Sequence, residues 1–216
     1  MSTLTSISII GGTGYAGSNI AREAVRRGHT VTAWARTEPT APIDGVQYRI
    51  GSVLDADTVR EAAGDDVLVL ATHAQLGDDR TLGEVLPQLV QASVDHQTRL
   101  AVVGGAGSSL VAEGGPRLVD TAEFPAEFKP EALAHAEVLE QLRAGETNLD
   151  WFYVSPAASF GAWNAGEATG SYRTGGDLLV ADEQGDSSIS GADYALAFVD
   201  EIEQPKHTRQ RFTVGY

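Results

Sequence analysis

Four glycines fall within seven residues, Gly11-Gly-Thr-Gly-Tyr-Ala-Gly17, between a short apolar run (6–10) and a stretch with helical periodicity (15–27). Glycines so placed permit a tight turn, close approach of the backbone to a ligand and close packing of helix on strand. A helix opening there presents free N–H groups and the positive end of its dipole, a natural seat for phosphate. Both Gly12-x-Gly14-x-x-Gly17 and the wider Gly11-x-x-Gly14-x-x-Gly17 are present, and their place between strand and helix identifies a dinucleotide-binding turn.

The rest of the chain agrees with a strand-helix alternation. Strands are expected over 6–10, 30–35, 46–50, 66–72, 100–104 and 151–154, and helices over 15–27, 56–63, 82–94 and 131–143. Runs such as Val67-Leu-Val-Leu, apolar on both faces, belong in a parallel sheet covered on each side. Residues 104–130 read as a long loop, 170–176 and 178–180 as a β-hairpin, 192–202 as a helix, and 211–216 as a last strand at the sheet edge. The 216 residues make a single domain, with 157–190 as a substrate-side segment.

A formal charge of −15, from 15 basic and 30 acidic residues, argues against nucleic acid or an anionic membrane as partner. Cysteine is absent, which excludes disulfides and thiolate metal sites, and the five histidines have no metal-ligand spacing. With no targeting segment and no apolar run of membrane-spanning length, the expectation is a soluble cytoplasmic protein.

An NAD site places an acid about 20 residues after the glycines, to accept from the ribose 2′-hydroxyl. Here Trp34-Ala-Arg-Thr37 occupies that place, and the Arg36 guanidinium would attract a 2′-phosphate, so NADP(H) is favoured over NAD(H). His73, at the carboxyl end of an expected strand, is a candidate proton donor, while His135, among alanines, is expected to be a partly exposed helix residue. Trp151, Phe152 and Tyr153 alternate along a strand and are expected in the core; Phe160 and Trp163 could stack on a flat substrate.

The glycine turn, Val102-Val-Gly-Gly-Ala-Gly107, Leu149-Asp-Trp-Phe-Tyr-Val-Ser-Pro156, Tyr172-Arg-Thr-Gly-Gly-Asp177, Ser188-Ile-Ser-Gly-Ala-Asp-Tyr194 and Arg211-Phe-Thr-Val-Gly-Tyr216 resemble the atypical short-chain dehydrogenases. Within these, the chain is most similar to the NADH-flavin reductase group, neighbour to the biliverdin-IXβ/flavin reductase-like and NmrA-like proteins. The resemblance implies a Rossmann-type doubly wound parallel sheet of order 3-2-1-4-5-6-7, with NAD(P)H along the carboxyl ends of the strands.

Carried over by position, it puts the pyrophosphate on Thr13, Tyr15 and Ala16 within the glycine turn, and the 2′-phosphate on Arg36 and Thr37. Ser52 and Val53 fall at the adenine, with Ser where the family has Asp. Ala71, Thr72 and His73 fall beside the ribose and nicotinamide; Gly104 and Gly105, then Pro156, Ala157 and Ala158, flank the carboxamide. Ser108 falls where such enzymes place a substrate-binding serine.

The wider superfamily's Tyr-x-x-x-Lys proton-donating pair is missing, since Lys129 and Leu133 occupy the two positions. Hydride transfer to a flavin or quinone needs little beyond orientation of two rings, so such a planar acceptor is expected, with the protein a monomer or homodimer. Other readings are a non-catalytic NADP(H) sensor of the NmrA-like kind and a sugar-nucleotide epimerase or dehydratase.

Overall fold

A computed structural model describes residues 4–77, 79–145 and 148–216. Its strands are β1 (Ser6–Ile10), β2 (Thr30–Ala35), β3 (Val46–Ile50), β4 (Val67–Leu70), β5 (Gln75–Gly77), β6 (Arg80–Thr81), β7 (Arg99–Val103), β8 (Trp151–Ser155), β9 (Arg173–Thr174) and β10 (Gln210–Gly215). The helices are α1 (Tyr15–Arg26), α2 (Ala56–Ala62), α3 (Leu82–His96), α4 (Lys129–Ala144) and α5 (Gly191–Glu203).

Eight strands form one sheet in the order β3-β2-β1-β4-β7-β8-β10-β9, and β5 pairs with β6 in a separate small hairpin. All pairings in the large sheet are parallel except β10 with β9. This is the doubly wound α/β fold, with the seven expected strands in the expected order and β9 added outside them.

Alternation along each strand supplies two cores. Val67 and Val69 of β4 face the side of α1 and α5, with Ile7, Ile9, Ile20, Phe152 and Phe198; Leu68 and Leu70 face α2, α3 and α4, with Val59, Leu86, Val138 and Tyr153. Trp151, Phe152 and Tyr153 are all buried and split between the two layers, as their alternation requires.

Three local expectations are corrected. Residues 170–180 form no hairpin: β9 pairs with β10, while Leu178 bridges to Leu110. In consequence the C-terminal strand is not the sheet edge, because β9 covers it. The long loop is partly ordered, with 3-10 turns at Ala106–Ser108, Leu118–Asp120 and Ala126–Phe128. Among the described residues no helix is long and apolar enough to cross a membrane.

Candidate nucleotide site

Sheet register builds the site. Ile10 pairs with Trp34 on one side and Leu70 on the other, and Leu70 pairs with Val102, so the segments after β1, β2, β4 and β7 emerge along one edge. In doubly wound sheets that carboxyl edge is where ligands bind.

The turn between β1 and α1 is tightly dictated. Gly11 has a φ of +87°, and a Cβ there would lie 2.4 Å from the Ala71 carbonyl oxygen. A Cβ on Gly12 would meet the Ala33 Cβ at 2.6 Å, and one on Gly17 the Gly11 carbonyl oxygen at 2.3 Å. Gly12 and Gly17 are therefore buried packing positions, whereas Thr13 and Gly14 are exposed and Tyr15 and Ala16 half-buried. Gly14 caps α1 without a side-chain bond, and no acid sits in the first turn, which leaves the helix dipole uncompensated. Tyr15 packs edge-on against Phe160, with ring centroids 5.3 Å apart, so the segment after β8 lies against this turn.

Arg36 and Thr37 follow β2 and are exposed. Arg36 makes no hydrogen bond or ion pair with any described residue. Ser52 and Val53 follow β3; Val53 is buried, and Ser52 Oγ accepts from the Leu54 N–H at 3.2 Å. β4 stops at Leu70, earlier than expected, so Ala71, Thr72 and His73 lie just beyond its end. Pro156 and Ala157 are buried after β8, whereas Ala158 is exposed. Trp163 is 71% exposed.

Gly104 is required by its neighbour, and Gly105 is closely packed. A Cβ on Gly104 would fall inside the Tyr153 ring, 1.9 Å from Cε1, and one on Gly105 would meet His135 Cβ at 3.3 Å. The Tyr153 hydroxyl accepts from the Gly105 N–H at 3.2 Å and donates to the His135 carbonyl at 3.0 Å, and burial pushes its pKa well up.

The structure adds residues that the sequence reading passed over. Glu131 Oε1 stands 3.3 Å from both His73 Nδ1 and His135 Nε2, and its carboxylate accepts from the N–H groups of Ala74 (2.7 Å) and Gln75 (2.9 Å). Burial alone would raise its pKa, but the bonds from His135 and His73 outweigh that and hold the carboxyl well below its usual range. The same bond raises the pKa of His73, partly offset by desolvation. His135 is buried rather than partly exposed, because α4 packs that face across the 3-10 turn after β7. The available signal was the spacing of Glu131 and His135, four residues apart on one helix face.

Arg211 is the second addition. Its side chain is 1% exposed, and its guanidinium donates to Asp177 Oδ1 (2.7 Å), Ser109 Oγ (2.9 Å) and the Ser108 carbonyl (3.3 Å). It thus fastens the turn carrying Ser108 to β10. Ser108 Oγ, Thr72 Oγ1 and His135 Nδ1 are buried without a hydrogen-bond partner. Thr72 lies after β4, Ser108 on the 3-10 turn after β7, and His135 on α4, which packs against that turn. A glycine cradle, a bare helix N-terminus, an unpaired arginine and these orphans together fit a pyridine dinucleotide. No group of three or more His, Asp or Glu among the described residues could hold a metal ion.

A family model described as NAD(P)H-binding matches residues 11–205. YwnB of Bacillus subtilis (strain 168) is 42% identical over 214 residues, covering 96% of this chain and 97% of its own. A crystal structure from Burkholderia pseudomallei, provisionally named an exported protein, is 41% identical with a TM-score of 0.84, covering 99% of this chain and 100% of its own. One from Streptococcus pneumoniae TIGR4, provisionally named an NADH-flavin reductase, is 38% identical with a TM-score of 0.83, covering 98% and 99%.

Proposed function

The chain belongs to the NAD(P)H-binding family, and from that membership we propose that it is an NADPH-preferring oxidoreductase that passes a hydride to a flavin, a quinone or a similar planar acceptor. When bound, reduced nicotinamide supplies the hydride from its C4 carbon.

The turn 11–17 carries the reading: its glycines bring the backbone close enough for Thr13, Tyr15 and Ala16 to hold a pyrophosphate on the uncapped start of α1. Arg36, exposed and unpaired where an NAD site has a carboxylate, takes the 2′-phosphate with Thr37. Ser52 and Val53 border the adenine. Thr72 and His73 serve the ribose, and Ser108 gives its unpartnered hydroxyl to nicotinamide or substrate. Gly104, Gly105 and 156–158 form the wall that orients the ring. The Streptococcus pneumoniae relative's provisional name supports a flavin as acceptor.

The test is oxidation of NADPH and NADH, followed by loss of nicotinamide absorbance, with FMN, riboflavin and a simple quinone, beside tryptophan-fluorescence titration of each cofactor. Turnover with NADPH well above NADH is expected. Tight NADPH binding without turnover on any acceptor would favour the sensing role, for which the absent Tyr-Lys pair speaks, and failure to bind either nucleotide would defeat both. The reading includes a cytoplasmic location and a monomeric or homodimeric state, checked by cell fractionation and light scattering.

A further inference from the structure

Two side chains that can carry positive charge flank the glycine turn, one from each side of β1. The Trp34 carbonyl, near the end of β2, accepts from the N–H groups of Gly11 (2.9 Å) and Gly12 (3.3 Å), and the Ile10 carbonyl accepts from the Ala71 N–H (2.8 Å) just after β4. Arg36 and His73 each follow two residues beyond those contacts, so both leave the sheet beside the turn. Neighbouring strands lie about 4.8 Å apart, which separates β2 from β4 by roughly 10 Å, a gap that two side chains and a phosphate between them can bridge.

The two charges act on each other. Arg36 opposes the protonation of His73, whereas Glu131 favours it. Glu131 Oε1 stands 3.3 Å from His73 Nδ1 while the side chain stays 87% exposed, so the ring is anchored at one nitrogen and open at the other. Arg36 has no anionic partner among the described residues. Two like charges so placed repel, and a dianion seated between them turns the repulsion into attraction.

Resting on the NADPH reading, we propose that His73 is a second cation for the 2′-phosphate, opposite Arg36, so that the preference for NADPH over NADH declines as His73 loses its proton. Glu131 is the positioning residue: it takes the Nδ1 proton and leaves the Nε2–H to donate to a phosphate oxygen. The charged groups facing His73 are Glu131 from α4 and Arg36 from the segment after β2, and His135 of α4 shares Glu131 Oε1 at 3.3 Å. The bond to Glu131 outweighs desolvation and Arg36 and raises the His73 pKa above its ordinary value. A bound phosphate raises it further, so NADPH binds best with His73 charged and weakens as pH climbs through that pKa. NADH, with a hydroxyl in place of the phosphate, gains far less from that charge.

The test uses the whole chain, with fluorescence titration of NADPH and NADH between about pH 7 and about pH 9. The second ionisation of a phosphate ester lies near pH 6, so the 2′-phosphate is a dianion across this range and the response belongs to the protein. The Kd of NADPH should rise roughly fivefold and that of NADH should stay within about twofold. His73→Gln, at an exposed position, should weaken NADPH several-fold at the lower pH and remove its pH response. Isotope-edited NMR of the histidine rings should show the His73 midpoint raised by NADPH more than by NADH. Equal pH responses for the two cofactors, an equal shift of His73 by both, or a His73→Gln protein that keeps the NADPH response would overturn the assignment and leave the NADPH reading standing. A wild-type protein that binds NADPH no more tightly than NADH at any pH would overturn both.

Discussion

Arg36 is an arginine with no protein partner among the described residues, at the end of the strand that supplies the ribose-recognising residue in this kind of site. A charge-assisted bond from guanidinium to phosphate contributes about 1.5–3 kcal/mol, which is roughly 10- to 100-fold in Kd. Arg36→Ala should therefore weaken NADPH by that factor and leave NADH within about threefold, read by fluorescence titration; equal losses for both would place Arg36 outside the 2′-phosphate site. The glycine turn was legible in the sequence because its packing follows from local geometry, a fixed spacing between a strand and a helix. Glu131 and Arg211 were not, because their meaning comes from partners far away in the chain: Ala74 is 57 positions from Glu131, and Ser109 is 102 from Arg211. His135 was misread for the same reason, since neighbouring alanines say nothing about which turn will pack over them.

α1 and α5 are the pair of elements on which the cradle depends. Gly191 opens α5, and a Cβ there would lie 2.5 Å from Asn19 Nδ2 and 2.8 Å from the Tyr15 hydroxyl oxygen. Asn19 in turn donates to the Tyr15 carbonyl at 2.8 Å. Overpacking of this kind costs about 1–3 kcal/mol. Gly191→Ala should therefore lower the Tm by several degrees and, by displacing Tyr15, weaken both cofactors several-fold alike; scanning calorimetry and titration check the two effects. A lost Tm with unchanged affinity would uncouple Tyr15 from the pyrophosphate. At this scale the parallel sheet and its helices were readable, because apolar runs such as β4 have faces on both cores. The hairpin at 170–180 was misplaced because β9 finds its partner in β10, and Leu178 in Leu110, pairings that no turn signal encodes.

The whole molecule is an acidic body with carboxylates built into its interior. Asp193 accepts from the N–H groups of Thr169 (2.7 Å) and Gly170 (2.9 Å) and from the Tyr216 hydroxyl (2.5 Å), and Glu201 accepts from Arg99 (2.7 Å). Burial opposes their ionisation, but these bonds prevail and both pKa values lie below the usual carboxylate range. The unfolded chain then binds more protons in acid, so this stability is full above the ordinary carboxylate range and is lost as pH falls through the folded values. The Tm should hold from neutral pH down to about 5 and drop below about 4. Asp193→Asn should lower it at neutral pH and flatten the acid fall; an unchanged acid fall would assign it to other carboxylates. Charge also governs approach. A net −15 repels an anionic cofactor at long range, whereas Arg36 attracts it only near contact. The Debye length falls from roughly 30 Å at 0.01 M salt to roughly 8 Å at 0.15 M, so added salt removes the distant repulsion before it screens the contact. The NADPH association rate measured by stopped flow should consequently rise over that range. A falling rate would mean that local cations dominate the encounter and that the acidic residues lie away from the path of the cofactor.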